Sequence, residues 1–511
     1  MTLSRRSILA LLAAAGAAGS GVAHAQSGAL EKSEGRPFSR DWLLLEAQRL
    51  AGAPYRPLPQ VPAGWRDLTY DQYRKIWFNS QKALWSSTRR PFRVDFFHPG
   101  LYFPRPVEIS IVERGEARKL AFDIDLFDRT DQFPDLPIDE TMGYSGFRLR
   151  AELERPEIFT EFMVFQGASY FRAIGAGQNY GLSARGLALD TAEDRGEEFP
   201  EFTRFWVDTP EPGDRMVKVH ALLDGPSTTG AYHFSIMPGP QTIVDVEATL
   251  FPRRALAHVG LGPLTSMFLF DETNRTRFDD FRPAVHDSDG LMVWNGAGEL
   301  LWRPLANPRK LQVSSFVDDG PRGFGLMQRA RDVEDFADLE AHYERRPCLW
   351  VVPGEDWGQG AVTLVEIPAE KEIYDNIVAY WRPRAPLPPR APHRFTYQMI
   401  WGEEPPRPRD VARILNTRIG KGFDKTQPYM IVTVDFAPHP ALDGDMDGIV
   451  RHISSNRGAV SDGVLQRNPG TGGWRLAFKF DPEGGEAAEL RAQLVKDGKS
   501  LTEVWLYRWT A

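Results

Sequence analysis

Four carboxyls stand where this chain is best equipped for chemistry. Asp287 and Asp289 lie in His286-Asp287-Ser288-Asp289-Gly290, and Glu372 and Asp375 in Glu372-Ile373-Tyr374-Asp375-Asn376, each run flanked by apolar and aromatic residues. Asp-Gly marks a tight turn, so the first run reads as a loop displaying acidic groups from a strand end. Two such carboxyls suit cleavage or transfer of a glycosidic bond. That chemistry needs one protonated acid for the leaving oxygen and one carboxylate to activate the attacking hydroxyl. Acids at turns more often close the turn or pair with a base, and the residues alone leave that alternative open. The sequence has no Gly-x-Ser-x-Gly elbow, no Walker loop and no His-Glu-x-x-His motif, and its ten histidines are scattered singly. Asp443-Gly444-Asp445-Met446-Asp447-Gly448 resembles the first half of a calcium loop. Its twelfth position is Ser454 rather than a bidentate glutamate, which favours an Asp-rich turn. Neither a metal nor an organic cofactor is expected.

The elements that must hold these acids read mainly as strands. Alternation at Val107, Ile109 and Ile111 marks a half-buried strand, and short apolar runs follow at 161–165, 217–223, 232–237 and 242–251, separated by Gly- and Pro-containing turns. These cues predict a large antiparallel sandwich. Short helices are expected over 39–52, capped by Ser39, and from Thr69, where Gln72 completes a capping box. A longer helix is expected over Asp332–Arg346, with Val333, Phe336 and Tyr343 on one face. The Pro-rich stretch around 385–393 reads as a linker. Beyond it, Phe395 to Trp401, Met430 to Phe436 and Trp474 to Phe480 alternate as in a second, immunoglobulin-like sandwich.

At 511 residues two domains are expected, and 42% apolar with 25% charged residues is ordinary globular composition. The net charge of −8 and the lack of a basic run argue against nucleic acid as a partner. Arg5-Arg6, a short apolar run and Ala23-His24-Ala25 read as a cleaved export signal over 1–25, of the twin-arginine type, an ordinary secretory signal being the alternative. No later stretch is long enough for a stable membrane insertion. Cys348 is the only cysteine, so no internal disulfide can form. Most of the fourteen tryptophans must be core, and a surplus would suit stacking on sugar rings. Trp294, Trp302, Trp350 and Trp357 are candidates for sugar faces and Arg329 and Arg331 for hydroxyls, a core position or a surface ion pair being the alternative for each.

A set of ordered motifs sharpens this reading. They include Gly167-Ala168-Ser169-Tyr170-Phe171-Arg172-Ala173, Gln178-Asn179-Tyr180-Gly181-Leu182-Ser183-Ala184-Arg185-Gly186, Pro263-Leu264-Thr265-Ser266-Met267-Phe268 and His286-Asp287-Ser288-Asp289-Gly290. Trp302-Arg303-Pro304-Leu305, Pro321-Arg322-Gly323-Phe324-Gly325, Glu344-Arg345-Arg346-Pro347 and Asp375-Asn376-Ile377-Val378-Ala379 complete them. Across the mature chain the sequence resembles the periplasmic glucan biosynthesis proteins of the MdoG (OpgG/OpgD) family, and its signal leans towards the OpgD branch. The resemblance implies an all-β fold: a large galactose-mutarotase-like sandwich over 26–384, a linker over 385–393 and an immunoglobulin-like sandwich over 394–511. It implies a periplasmic protein acting on β-1,2-glucan by anomer inversion, with Asp375 as general acid and Asp287 as general base. Tyr343, Glu372, His286 and Asp289 are expected in the same cleft. It also admits a homodimer. Hydrolysis, transglycosylation or cyclisation with the same acid, and non-catalytic glucan binding during assembly remain alternatives at this stage.

Overall fold

The computed structural model describes residues 32–511 except 130–134, 405, 407–409, 424–428 and 445. The signal segment 1–25 therefore lies outside the described residues, as does Asp445 of the Asp-rich loop. The fold is built from β-sheets. One large sheet runs from Arg36–Pro37 through Glu201–Asp208, Val217–Asp224, Thr228–Met237 and Thr242–Pro252 to His393–Gly402. It continues through Cys348–Pro353, Gly323–Met327, Gly290–Trp294 and Leu300–Pro304 into the C-terminal strands Val504–Thr510 and Ala487–Lys496. A second sheet, from Gln312–Asp319 through Ile377–Pro383, Val259–Ser266 and Tyr170–Ala173 to Phe92–Phe97, packs on one face of it to enclose the first core. A smaller sheet of Ile414–Lys421, Met430–Phe436 and Trp474–Asp481 covers the other face of its far half.

The far half of the large sheet is a wall shared by two cores, and side-chain alternation shows it directly. Leu291 and Val293, Leu301, Phe324 and Leu326, and Leu349 and Val351 point into the first core. Their neighbours Met292, Leu300, Trp302, Met327 and Trp350 point into the second. The strand His393–Gly402 behaves alike, with Phe395, Tyr397, Met399 and Trp401 in the first core and Ile400 in the second. That strand pairs with Thr242–Pro252 and with Cys348–Pro353. The Pro-rich stretch is thus followed by a central strand of the large sheet rather than by the second sandwich, whose own sheet starts at Ile414.

The first helix spans Arg40–Ala51 with Ser39 accepting from the Trp42 amide, and the Thr69/Gln72 capping box forms as the spacing predicts. The helix expected over 332–346 is only one turn, Val333–Phe336, plus a 3-10 turn at Tyr343–Arg345. Ala337 and His342 adopt left-handed backbone, at φ 53° and 48°, which breaks the helical run between them. The break matters because it turns Tyr343 and Arg346 towards the acids.

Candidate active site

The loop carrying Asp287 bridges the sheets. The Asp287 amide donates to Met267 O at 2.8 Å, beside the covering sheet, whereas the Asp289 amide donates to Met327 O at 2.8 Å, in the large sheet. Gly290 is not in a turn as the Asp-Gly pair suggests; it opens the strand Gly290–Trp294. Glycine is needed there because a Cβ would come within 2.1 Å of the Trp302 ring.

Asp375 reaches the same place from the covering sheet, immediately before the strand Ile377–Pro383. Its neighbour Asn376 is buried and fixes the local backbone. The Asn376 amide oxygen accepts from the Phe268 N–H at 2.8 Å, and its NH₂ donates to Phe268 O at 2.9 Å and Ile367 O at 3.0 Å. Asp375 keeps some exposed surface, yet protein surrounds it densely enough that burial pushes its pKa up to about 7, with Asp287 adding to the rise and Arg172 opposing it. Its apolar neighbours along the chain are Ile373, Ile377 and Trp381. Ile377 and Trp381 are fully buried, but Ile373 points to solvent at 46% exposure.

Asp287 is also raised, first by burial, while Arg346 and Arg172 pull it back. Arg346 Nε lies 3.6 Å from Asp287 Oδ1, and neither atom has a hydrogen-bond partner among the described residues. The Ser288 hydroxyl pairs with that of Ser266 at 2.9 Å, so charge rather than hydroxyl donation favours the Asp287 carboxylate. Arg172 is buried with its own pKa lowered by burial and supported by both aspartates. A cation thus stands in the field of the two acids and couples their charges.

Tyr343 and Glu372 complete the cluster. The Tyr343 hydroxyl donates to Glu372 Oε2 at 3.3 Å, and burial with the charges of Asp287 and Glu372 drives its pKa well up, so it stays a neutral donor. Arg346 sits over the Tyr343 ring at 5.1 Å. Glu372 Oε2 also takes Arg282 Nη2 at 2.8 Å, and the same guanidinium holds Asp280 and Asp338, each at 2.8 Å.

The structure separates the other expected residues from this cluster. His286 is buried, neutral with a pKa lowered to about 4 by burial, stacked on Phe268 and bonded to Gln328 at 2.9 Å, so it backs the site without reaching a ligand. Asp289 accepts the Arg329 and Ala330 amides at 2.8 and 3.1 Å. Arg329 makes two 2.8 Å bonds to buried Glu503 and lies 3.5 Å over the Trp302 ring. Arg331 binds the carbonyls of Glu344, Arg346 and Glu403, so it braces the 3-10 turn rather than facing a sugar. Trp302 and Trp350 are core residues at 3% and 1% exposure, Trp294 packs against the same core beneath Arg322, and Trp357 packs on the first core against Tyr397. Strand alternation over a shared wall buries Trp302 and Trp350, which a one-core reading of the sequence misses.

Sequence reasoning passed over Arg172, Arg346, Asn376 and Arg282, although the first three stand inside the quoted motifs. Their place within or next to the runs that carry the acids was the available signal for Asn376 and Arg282, and none marks Arg172 or Arg346 locally. Among the described residues no cluster of three or more His, Cys, Asp or Glu is placed to hold a metal, and no helix is long and apolar enough to cross a membrane.

The all-β fold thus joins two desolvated carboxyls across its sheets, with Arg172 and Arg346 beside them. Residues 38–509 match the family described as periplasmic glucan biosynthesis protein, MdoG. A glucans biosynthesis protein G from Shewanella sp. (strain ANA-3) is 49% identical over 475 residues, 93% of this chain and 87% of its own. Its counterpart from Shewanella baltica (strain OS195) is 49% identical over the same shares. The chain belongs to the MdoG family. Among solved structures, a polysaccharide lyase aligns over 73% of this chain and 46% of its own at 11% identity and a TM-score of 0.22, too low to bear on fold or function.

Proposed function

We propose that this chain is an exported, periplasmic, anomer-inverting endo-β-1,2-glucanase of periplasmic glucan biosynthesis, with Asp375 as general acid and Asp287 as general base. The observation that carries the reading is the difference between the two carboxyls. Asp375 has its pKa pushed up to about 7 and can carry a proton at neutral pH. Asp287 shares Arg172 with Asp375 but also has Arg346 at 3.6 Å, which supports its charge, and it keeps one buried oxygen without a hydrogen-bond partner among the described residues. Environments that push two carboxyls apart assign the acid and the base. The protonated Asp375 gives its proton to the leaving glycosidic oxygen, and Asp287 takes one from the attacking water, directly or through ordered hydroxyls. Water attacks opposite the departing bond, so the anomeric carbon inverts. Tyr343, whose hydroxyl donates to Glu372, offers its phenolic oxygen as an acceptor to a sugar hydroxyl or to that water.

The test is incubation of the mature protein with linear β-1,2-glucan, following mass and anomeric NMR signals. Shorter chains, each with one added water and born as the α-anomer, support the reading. Products of unchanged total mass, or lighter by one water than linear chains, mean transfer or cyclisation by the same acid. A polymer that binds and stays intact means a non-catalytic assembly role.

A further inference from the structure

Away from the aspartates, a cavity of about 210 Å³ opens where the turn Gly167–Ala168 meets the segment Tyr102–Arg105 and the start of the strand Glu201–Asp208. Its walls are aromatic, with Tyr102, Phe103, Tyr170 and Phe199 among them. Its polar members include Arg105 and Glu201. Arg105 Nη1 and Glu201 Oε1 stand 3.9 Å apart, beyond hydrogen-bond range. Arg105 Nε and Glu201 Oε2 are both buried, and neither has a hydrogen-bond partner among the described residues. A buried donor and a buried acceptor left open side by side cost free energy until something satisfies both.

The pairing of charges selects the occupant. An anion would meet the Glu201 carboxylate and a cation the Arg105 guanidinium, so a neutral group that accepts from one and donates to the other fits best. A pyranose ring does this: adjacent hydroxyls each accept and donate, while its C–H faces lie on aromatic rings. The volume suits one sugar unit. We infer that this cavity binds a glucosyl unit of the glucan chain, as a subsite apart from the aspartates; the inference rests on the function proposed above.

The backbone links the two places. Tyr170 and Arg172 project from the same face of the strand Tyr170–Ala173, because Phe171 and Ala173 between and after them belong to the first core. Residues two apart on a strand lie about 7 Å apart. Tyr170 therefore lines the cavity one strand repeat from the arginine standing in the field of both acids. Arg185, 5.4 Å over the Tyr170 ring and paired with Glu197 at 2.7 Å, stiffens the wall between them.

The test uses the full-length mature chain carrying Asp375→Asn, so that substrate binds without turnover, and titrates it calorimetrically with long linear β-1,2-glucan. Adding Tyr102→Ala or Arg105→Leu is expected to weaken binding about tenfold, the loss of roughly one good contact, while Tyr102→Phe restores the affinity. Thermal unfolding of each variant confirms that the fold survives, and Glu201→Gln supplies a second polar change if Arg105→Leu does not fold. Unchanged affinity in all of these variants overturns the inference and means that the cavity holds water alone, leaving the proposed function in place. Absence of glucan binding by the Asp375→Asn protein itself overturns both.

Discussion

Asp287 and Asp289 are two residues apart on one loop, and their surroundings differ in kind. Asp289 belongs to a junction: its Oδ2 accepts two backbone amides while its buried Oδ1 has no partner among the described residues, and the nearby Arg329 is bound twice by Glu503, which also accepts the Ile414 amide at 2.8 Å. Asp287 also has one buried oxygen without a partner among the described residues, but that oxygen faces Arg346 Nε at 3.6 Å, a buried donor equally without one. The junction joins the large sheet to the segment that opens the second sandwich, and its polar groups hold that joint together. The aspartate cluster leaves a buried donor and a buried acceptor open face to face, a cost that a ligand bridging them would recover.

The largest expected effect tests the cluster. Asp375→Asn cannot deliver a proton and should lower the rate on β-1,2-glucan by about 10²–10⁴-fold, with the fold intact by circular dichroism. The same change at the junction should have the opposite profile. Glu503→Ala leaves buried Arg329 without its counter-charge and should cost about 3–5 kcal/mol in denaturant unfolding, while any protein that remains folded still binds glucan.

Asn376→Ala should fall between these extremes. It removes three buried hydrogen bonds and should cost about 1–3 kcal/mol; because it holds the backbone that aims Asp375, kcat should fall with little change in KM. A stability effect with kcat unchanged would mean that Asn376 only supports the fold.

The pH dependence sharpens the contrast further. Asp375 has a folded pKa above its unfolded one, so it favours the folded state fully at pH below about 4, and that contribution is lost as pH rises through about 7. Asp375→Asn should therefore gain stability relative to the wild type above neutrality and show no gain in acid, as measured by melting temperature across pH 4–9. Activity should fall on the alkaline side as Asp375 loses its proton and on the acid side as Asp287 gains one, two macroscopic values belonging to the coupled pair. The smallest effect concerns the tryptophans: Trp302→Phe should leave glucan affinity unchanged, since the ring lies in the second core beneath Arg329.

Much of this was legible in the chain. Strand alternation gave the fold class and several strands almost to the residue, because each strand buries one face and shows it with period two. The motifs holding Asp375, Asp287, Tyr343 and Glu372 led to residues that the fold brings together. What could not be read was the sharing of one sheet by two cores. A strand such as Gly290–Trp294, apolar on both faces, looks the same whether it is covered once or twice, and so Trp302 and Trp350 were read as ligand contacts. The broken helix at 337–342 escaped for a related reason: Ala337 and His342 carry no sign of left-handed backbone, and tertiary contacts around Arg331 and Arg282 decide it. The arginines between the acids were missed because pairing across sheets has no local spacing.

The most direct test of the central claim is the titration of Asp375 itself, by side-chain carboxyl ¹³C NMR of the labelled wild type with Asp375→Asn to assign the signal. The account predicts an apparent pKa close to 7, falling when Asp287→Asn removes the neighbouring negative charge. A pKa near 4, the ordinary aspartate range, would leave Asp375 ionised at working pH and contradict its assignment as the acid.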